Sequence, residues 1–328
     1  MRLSGKKILV SAPLGFLPEL KERIQNEIDV VYSYGADRSS IEALLKKNAL
    51  DGWMVSPCPG YMIDRQMLSL CPTLKIIATP STGSNHIDVT YLNEKKIKLF
   101  TLRGSNVVNR IYASSEYTFN LMVSTIRKTP YAFQAVLQGN WREAESHFRG
   151  RELNGLVLGI IGFGRIGSNL ARYSLAFGMK VVAFDPYVKI SNPDIEQFSD
   201  LHEMLPEADV IAVCLHLNSQ TYKMINDDLF NNMKKGVYFI NTSRGDVVDE
   251  DVFIKYLMNG KIKAAGVDVI SDELTGDKNE HPLVKYAKSN DNLIITPHIA
   301  GLTFDSERKA QTAAYNAIKT FFTSEGTK

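Results

Sequence analysis

Residues 156–185 read LVLGIIGFGRIGSNLARYSLAFGMKVVAFD. The apolar run 156–161 leads at once into Gly162-Phe163-Gly164-Arg165-Ile166-Gly167. Residues 168–177 have helical character, 180–184 form a second apolar run, and Asp185 closes the stretch, 18 residues after the last glycine. Strand, glycine turn, helix, strand and acid in this order predict a βαβ unit of a parallel sheet that holds a dinucleotide. Gly162 allows the tight turn, Gly164 lets the backbone approach a pyrophosphate, and Gly167 lets the helix pack close to the strand. The helix N-terminus turns unpaired N–H groups and partial positive charge toward the phosphates. Asp185 can accept hydrogen bonds from both hydroxyls of an adenosine ribose and would repel a 2′-phosphate, so NAD(H) is expected in preference to NADP(H).

The chain has 328 residues, enough for two domains that each bury a core. Its 38 basic and 36 acidic residues leave a net charge of +2, which excludes a broad basic surface for nucleic acid. Cys58, Cys71 and Cys214 stand far apart and without metal-ligand spacing. They suggest a reducing compartment, no disulfide framework and no metal. The apolar run near the N-terminus, KILVSA, is too short and too β-branched for a signal peptide. No run of about 20 apolar residues offers a membrane span. A cytoplasmic protein without membrane contact is expected.

Before the glycine-rich unit, strands are expected at 7–12, 29–34, 52–56, 74–80 and 98–102. Helices fall between them at 17–26 and 39–47, the second capped by Ser39 or Ser40. After it, strands at 209–215, 236–241, 264–269 and 292–296 alternate with helices at 201–205, 226–233 and 249–259. Residues 304–322 form a closing helix that returns to the first domain. This alternation predicts an α/β protein with parallel sheets. Two further helices, within 106–128 and at 131–141, precede the dinucleotide unit and are candidates for an arm or a subunit contact. Residues 81–88, STGSNHID, follow an apolar strand directly, and the amides of Thr82 and Gly83 there could hold a small carboxylate.

Three segments at strand ends of the second half carry reactive side chains. They are Asn241-Thr242-Ser243-Arg244-Gly245, the stretch 266–273 containing Asp268 and Glu273, and Thr296-Pro297-His298. Strand carboxyl ends of one parallel sheet share one edge, which is also the edge that binds dinucleotide. An arginine, an acid and a histidine beside a nicotinamide suit hydride transfer to a 2-oxo acid. The fork of Arg244 fits the substrate's carboxylate and ketone. His298 can give or take the proton at the ketone oxygen, since imidazole titrates near working pH. Glu273 beside it would fix the ring's orientation.

With these residues in place, the chain resembles the D-isomer-specific 2-hydroxyacid dehydrogenase family. The resemblance rests on GFGRIG at 162–167 with Asp185, NTSRG at 241–245, GVDV at 266–269 with Glu273, and TPHIAG at 296–301. It implies Arg244 as substrate-binding and catalytic residue, Glu273 as partner of the histidine, and His298 as acid/base. It further implies that Arg165 and Ile166 contact the pyrophosphate, that Thr242 and Asp268 lie by the nicotinamide, and that His216 lies along the cofactor. Thr82 and Gly83 would bind the substrate carboxylate. The implied architecture is a flavodoxin-like substrate domain, 1–106 plus 302–328, and a Rossmann NAD-binding domain, 107–301, with the active-site cleft between them. A homodimer through the 111–141 helices is also implied. The sequence has Asn85 where aspartate is common and Leu274 where proline is common, at places that could set substrate choice. A phosphite-type dehydrogenase and an NAD-sensing co-repressor-like protein share the nucleotide unit. The Glu273–His298 pair favours the hydroxy acid over formate, and the lack of a low-complexity tail argues against the co-repressor. A phosphorylated substrate could call on basic residues such as Arg103, Arg110 or Arg149, whose ordinary place is a solvated surface.

Overall fold

A computed structural model describes residues 2–325. The chain divides into two compact units, one running from the N-terminus to Ile111 and taking in the chain from Leu302 onward, the other spanning Tyr112–Gly301.

The first unit is built on five strands: β1 (Lys7–Val10), β2 (Asp29–Tyr32), β3 (Gly52–Met54), β4 (Ile76–Ala78) and β5 (Lys98–Phe100). They pair in parallel in the order β2-β1-β3-β4-β5, the flavodoxin-like order. The strands are short, apolar and buried in β1, β3 and β4 because helices cover both faces. One face packs Leu9, Trp53 and Ile77 with Ile41, Leu45 and Met67. The other packs Ile8, Val10 and Met54 with Leu20 and Ile24 of the helix Pro18–Glu27 and with Ala314, Tyr315, Ile318 and Phe322 of the closing helix. That helix, Phe304–Glu325, therefore belongs to the first unit although it ends the chain. The helix expected at 39–47 begins one residue earlier, at Arg38, and its cap is Asp37, whose carboxylate accepts the Ser40 amide at 2.8 Å. Neither serine caps it, because the carboxylate one turn ahead reaches the free N–H first.

The second unit holds seven parallel strands: β6 (Val157–Ile161), β7 (Lys180–Phe184), β8 (Ile195–Phe198), β9 (Val210–Val213), β10 (Val237–Asn241), β11 (Ile262–Val267) and β12 (Leu293–Ile295). Their order is β12-β11-β10-β9-β6-β7-β8. The chain reverses direction of growth at β6, which pairs β7 on one side and β9 on the other. The edge strand β8, IEQF, lies in a stretch left without an element in the sequence reading. It is short and polar, as edge strands are, and leaves no period-two apolar signal.

The helix Ala113–Ile126 is part of this unit's own core. Leu121, Met122 and Ile126 pack with Leu158, Ile160 and Leu170. The next helix, Thr129–Leu137, starts at the proline that ends the previous pattern, with Lys128 in the left-handed conformation between them. It buries none of its residues, and Phe133, Val136 and Leu137 are exposed. Among the described residues no helix is long and apolar enough to cross a membrane.

Candidate active site

The order of strands in the second unit sorts the predicted residues along one sheet edge. Asp185 follows β7, the glycine turn follows β6, and His216 follows β9. Arg244 follows β10, Asp268 and Glu273 follow β11, and His298 follows β12. All strands run parallel, so these positions lie at the carboxyl edge, with β6 at the switch point where ligands bind in such sheets.

The glycine turn is shaped by contact. Gly162 has φ +94°, and a Cβ there would meet the Cys214 carbonyl oxygen at 2.7 Å. A Cβ on Gly167 would run into the Gly162 carbonyl oxygen, so the helix can approach the turn only with hydrogen at this position. Beside Gly164 a Cβ would meet nothing within 4 Å, which leaves the backbone open to an approaching group. Gly164 is the N-cap of the helix Arg165–Ala176 and no side chain caps that end. The helix begins three residues before the expected 168, because the glycines themselves make its first turn. Burial pushes the Arg165 guanidinium below its ordinary pKa. Ile166 is half-buried. These features fit a pyrophosphate.

Asp185 holds the glycine turn itself. Its Oδ2 accepts the Phe163 amide at 2.8 Å, and its Oδ1 accepts the amides of Tyr187 and Val188 at 2.8 and 3.0 Å. The carboxylate thereby ties the glycine turn to the end of β7. His216 is exposed, and its carbonyl accepts the Thr221 hydroxyl at 2.6 Å. A cavity of about 330 Å³ opens beyond Phe184, lined among others by Asp200, His202, Met224 and Asn226. Arg244, Glu273 and His298 are not among its lining residues.

At the other end of the edge, His298 Nδ1 stands 3.0 and 2.9 Å from the two oxygens of Glu273. Both side chains are about three-quarters buried. With Nδ1 donating to the carboxylate, Nε2 is left to face a ligand. The backbone of Arg244-Gly245 lies directly on that of Ile270-Ser271, and a Cβ on Gly245 would collide with it. This contact brings the arginine segment to the root of the Glu273 loop. Arg244 Nη1 donates to the Ser243 carbonyl at 2.6 Å, and among the described residues no carboxylate pairs with the guanidinium. Asp268, 1% exposed, turns both carboxylate oxygens to the histidine's segment, accepting the Thr296 hydroxyl and the amides of Ile299 and Ala300. The Thr242 hydroxyl bonds the Thr118 hydroxyl at 2.6 Å, and Thr118 in turn donates to the Ser114 carbonyl.

In the first unit, the loop after β4 is braced from within. Thr79 Oγ1 and Ser81 Oγ are 2.9 Å apart, and Ser81 Oγ donates to the Gly83 carbonyl at 2.6 Å. Among the described residues no acceptor takes the amides of Thr82 or Gly83. No group of histidine, cysteine or acidic side chains able to hold a metal occurs among the described residues.

Several residues that organise this edge carry no sequence signal of their own. Thr118 and Thr296 are single hydroxyls on a helix and a strand end. Glu250 and His281 lie 21 and 10 residues from Ser271 and meet around it only through the fold. A glutamate at a helix start and a histidine before a proline read as ordinary caps.

The family model described as the NAD binding domain of D-isomer specific 2-hydroxyacid dehydrogenases matches residues 119–300, more than half of the chain. The chain is 35% identical to a hydroxypyruvate reductase of Thermotoga maritima over 72% of this chain and 74% of that protein. It is 33% identical to a glyoxylate reductase of Thermofilum pendens over 78% of this chain and 74% of that protein. Among solved structures, a D-lactate dehydrogenase from Aquifex aeolicus, complexed with NAD and lactic acid, superposes with a TM-score of 0.83. That enzyme is 32% identical, with 97% of this chain and 96% of that one covered.

Proposed function

The chain belongs to the D-isomer-specific 2-hydroxyacid dehydrogenase family, and we propose that it interconverts a 2-oxo acid and a D-2-hydroxy acid using NAD(H). The observation that carries this reading is the contact of His298 Nδ1 with both oxygens of Glu273, at the same sheet edge as Arg244, whose guanidinium no carboxylate pairs among the described residues.

The nicotinamide, when bound, supplies or takes the hydride at the substrate's C2. The protein's own part is to bind, orient and move the proton. Arg244 holds the substrate's carboxylate and carbonyl oxygen; the amides of Thr82 and Gly83, in the other unit, are themselves suited to a small carboxylate. In reduction His298 delivers a proton from Nε2 to the carbonyl oxygen as that oxygen gains charge. In oxidation the neutral ring takes the hydroxyl proton back. Glu273 keeps Nδ1 as the donor side, so that Nε2 is the atom presented to substrate. Gly162, Gly164, Arg165, Ile166 and Gly167 form the pyrophosphate cradle. Asp185 accepts from the ribose, and its charge favours NAD(H) over NADP(H). Thr242, Asp268 and His216 lie along the remaining length of the cofactor.

The exposed Phe133, Val136, Leu137 and Trp141, between 47 and 70% accessible, support a homodimer through the 111–141 helices, since exposed large apolar side chains on one short stretch are the kind a partner surface covers. Three cysteines that stand far apart in the sequence, with no disulfide framework in their spacing, support a cytoplasmic setting.

The test is NADH oxidation by the purified protein against glyoxylate, hydroxypyruvate, pyruvate, branched and aromatic 2-oxo acids and a phosphorylated one, with NADPH in parallel. Turnover of one member, faster with NADH, supports the reading. Silence across the panel with NADH still bound would overturn it and favour a sensing role.

A further inference from the structure

Glu273 sits on a loop whose two ends are tied to one buried carboxylate. Glu250, the first residue of the helix Glu250–Met258, accepts the Ser271 amide on Oε1 at 2.7 Å and the Ser271 hydroxyl on Oε2 at 2.6 Å. His281 Nε2 lies 3.3 Å from the same Oε2, and the two side chains are only 10 and 11% exposed. His281 is also the N-cap of the helix Pro282–Ser289, its Nδ1 accepting the Leu283 amide at 3.3 Å. A ring nitrogen that accepts carries no proton, so the ring proton resides on Nε2, the atom that faces Glu250. One carboxylate thus gathers both ends of the segment 271–281.

Within that segment the backbone is irregular. Asp272 has φ +51°, and only a short turn, Lys278–Glu280, interrupts it. Apart from the contact of Glu273 with His298, its other side-chain bonds are internal, such as Lys278 Nζ to the Asp272 carbonyl, or run to the helix that follows, as Lys285 does to Glu280. Burial raises the Glu250 carboxyl above its ordinary pKa, against the downward pull of the Ser271 hydroxyl and amide. A carboxylate kept in so enclosed a place would cost stability without those partners. Glu273 is two residues from Ser271, so a displacement at the anchor is transmitted almost undiminished to the carboxylate that holds His298.

We propose that Glu250 and His281 are positioning residues for the acid/base pair, holding the base of the 271–281 loop so that Glu273 stands against His298 Nδ1. This rests on the assignment of His298 and Glu273 given above. Neither residue touches substrate. Their effect reaches the reaction through the placement of Glu273.

The experiment uses the full chain with NADH and the 2-oxo acid turned over fastest in the panel. Glu250→Ala should lower kcat by about tenfold or more, with KM and NADH affinity within about twofold, since a misplacement near 1 Å costs up to about a hundredfold. Combined with Glu273→Gln it should cost no more than Glu273→Gln alone, because both act through one contact. His281→Gln keeps a donor toward Glu250 and loses the helix cap, whereas His281→Asn keeps a good cap and is too short for Glu250. The proposal expects His281→Gln to approach wild-type kcat and His281→Asn to resemble Glu250→Ala. Multiplying effects in the double variant, or a normal His281→Asn beside an impaired His281→Gln, would overturn it. If Glu273→Gln is itself silent, the acid/base reading fails and this proposal with it. Should Glu250→Ala not fold, the two His281 variants decide, with NADH fluorescence as the check of folding.

Discussion

His298 takes a left-handed backbone conformation, φ +55°, and its amide donates to the Asp268 carbonyl at 2.9 Å. The Asp268 carboxylate holds the next two amides, Ile299 at 3.0 Å and Ala300 at 2.7 Å. A non-glycine residue at positive φ persists only where its surroundings insist on it, and here the insistence comes from one buried side chain. Asp268→Asn would set an amide N–H₂ against one of these donors. Such a mismatch costs about 1–3 kcal/mol. We expect a loss of that size in urea denaturation together with a fall in kcat of about tenfold. Unchanged stability would show that the carboxylate does not hold the segment.

Arg244→Ala and His298→Asn should separate binding from proton transfer. The first is expected to lower kcat/KM by about a hundredfold or more, the second to lower kcat by about a hundredfold with a smaller change in KM. NADH affinity, read by fluorescence titration, should survive in both. Near-normal turnover in either variant would remove that residue from the site.

One substitution tests both the ribose role proposed for Asp185 and its hold on the glycine turn. Asp185→Ala should raise the relative use of NADPH by removing a negative charge beside the ribose. It should also weaken NADH binding by about tenfold, because the Phe163 amide of the glycine turn loses its acceptor. Titration with both nucleotides measures the two effects at once. A change in preference with full NADH affinity would leave the ribose role and discard the structural one.

Gly245 tolerates no side chain where the Arg244 segment crosses Ile270-Ser271. Gly245→Ala must push two backbones apart, so a cost of about 3 kcal/mol or more is expected, with kcat reduced even in the folded fraction. Thermal unfolding followed by single-turnover kinetics gives both values.

Glu27 tethers the closing helix to the first unit. Its carboxylate accepts the Tyr315 hydroxyl at 2.7 Å and Lys319 Nζ at 2.8 Å, with Arg23 Nε at 3.4 Å. Burial opposes the charge, but the bonds from Lys319 and Tyr315 and the charges of Arg23 and Lys319 outweigh it and hold the carboxyl down at about 2. The folded value lies below the unfolded one of about 4.3. The stabilisation is therefore full above the unfolded value and is lost as pH falls toward 2. It should amount to about 1–3 kcal/mol. Glu27→Gln should lower the urea midpoint at pH 6, with a gap that shrinks markedly by pH 2.5 and closes only below the folded value of about 2. An equal gap at both pH values would count against the pair.

Much of this edge is written locally. GFGRIG with Asp185 demands a strand, a turn and a helix in immediate succession, and each requirement is met by residues within one turn of one another. The strands β1 and β6 follow from apolar runs, and the helix stop at Gly260 from its φ of +72°. The missed elements are those whose stabilisation comes from elsewhere. Strand β8 is held by pairing with β7 rather than by its own apolar content. The cap at Asp37 was displaced by a competing serine in the sequence, since both residue types accept the same amide.

The sequence by itself determined the nucleotide unit and the alternation that makes two parallel sheets, and it singled out Arg244, Glu273 and His298 as candidates. Those depend on local spacing and on side-chain chemistry, which a linear chain displays. Only the tertiary structure decided that Asp268 turns its carboxylate to the histidine's own segment and that Glu250 and His281 gather the ends of the Glu273 loop. It also decided that Gly245 must be bare because another backbone lies on it. Each of these joins residues that are 10 or more positions apart, brought together by neighbouring strands β10, β11 and β12. A hydrogen bond across that distance is created by the packing of the sheet and its helices, and nothing in the neighbourhood of either partner announces it.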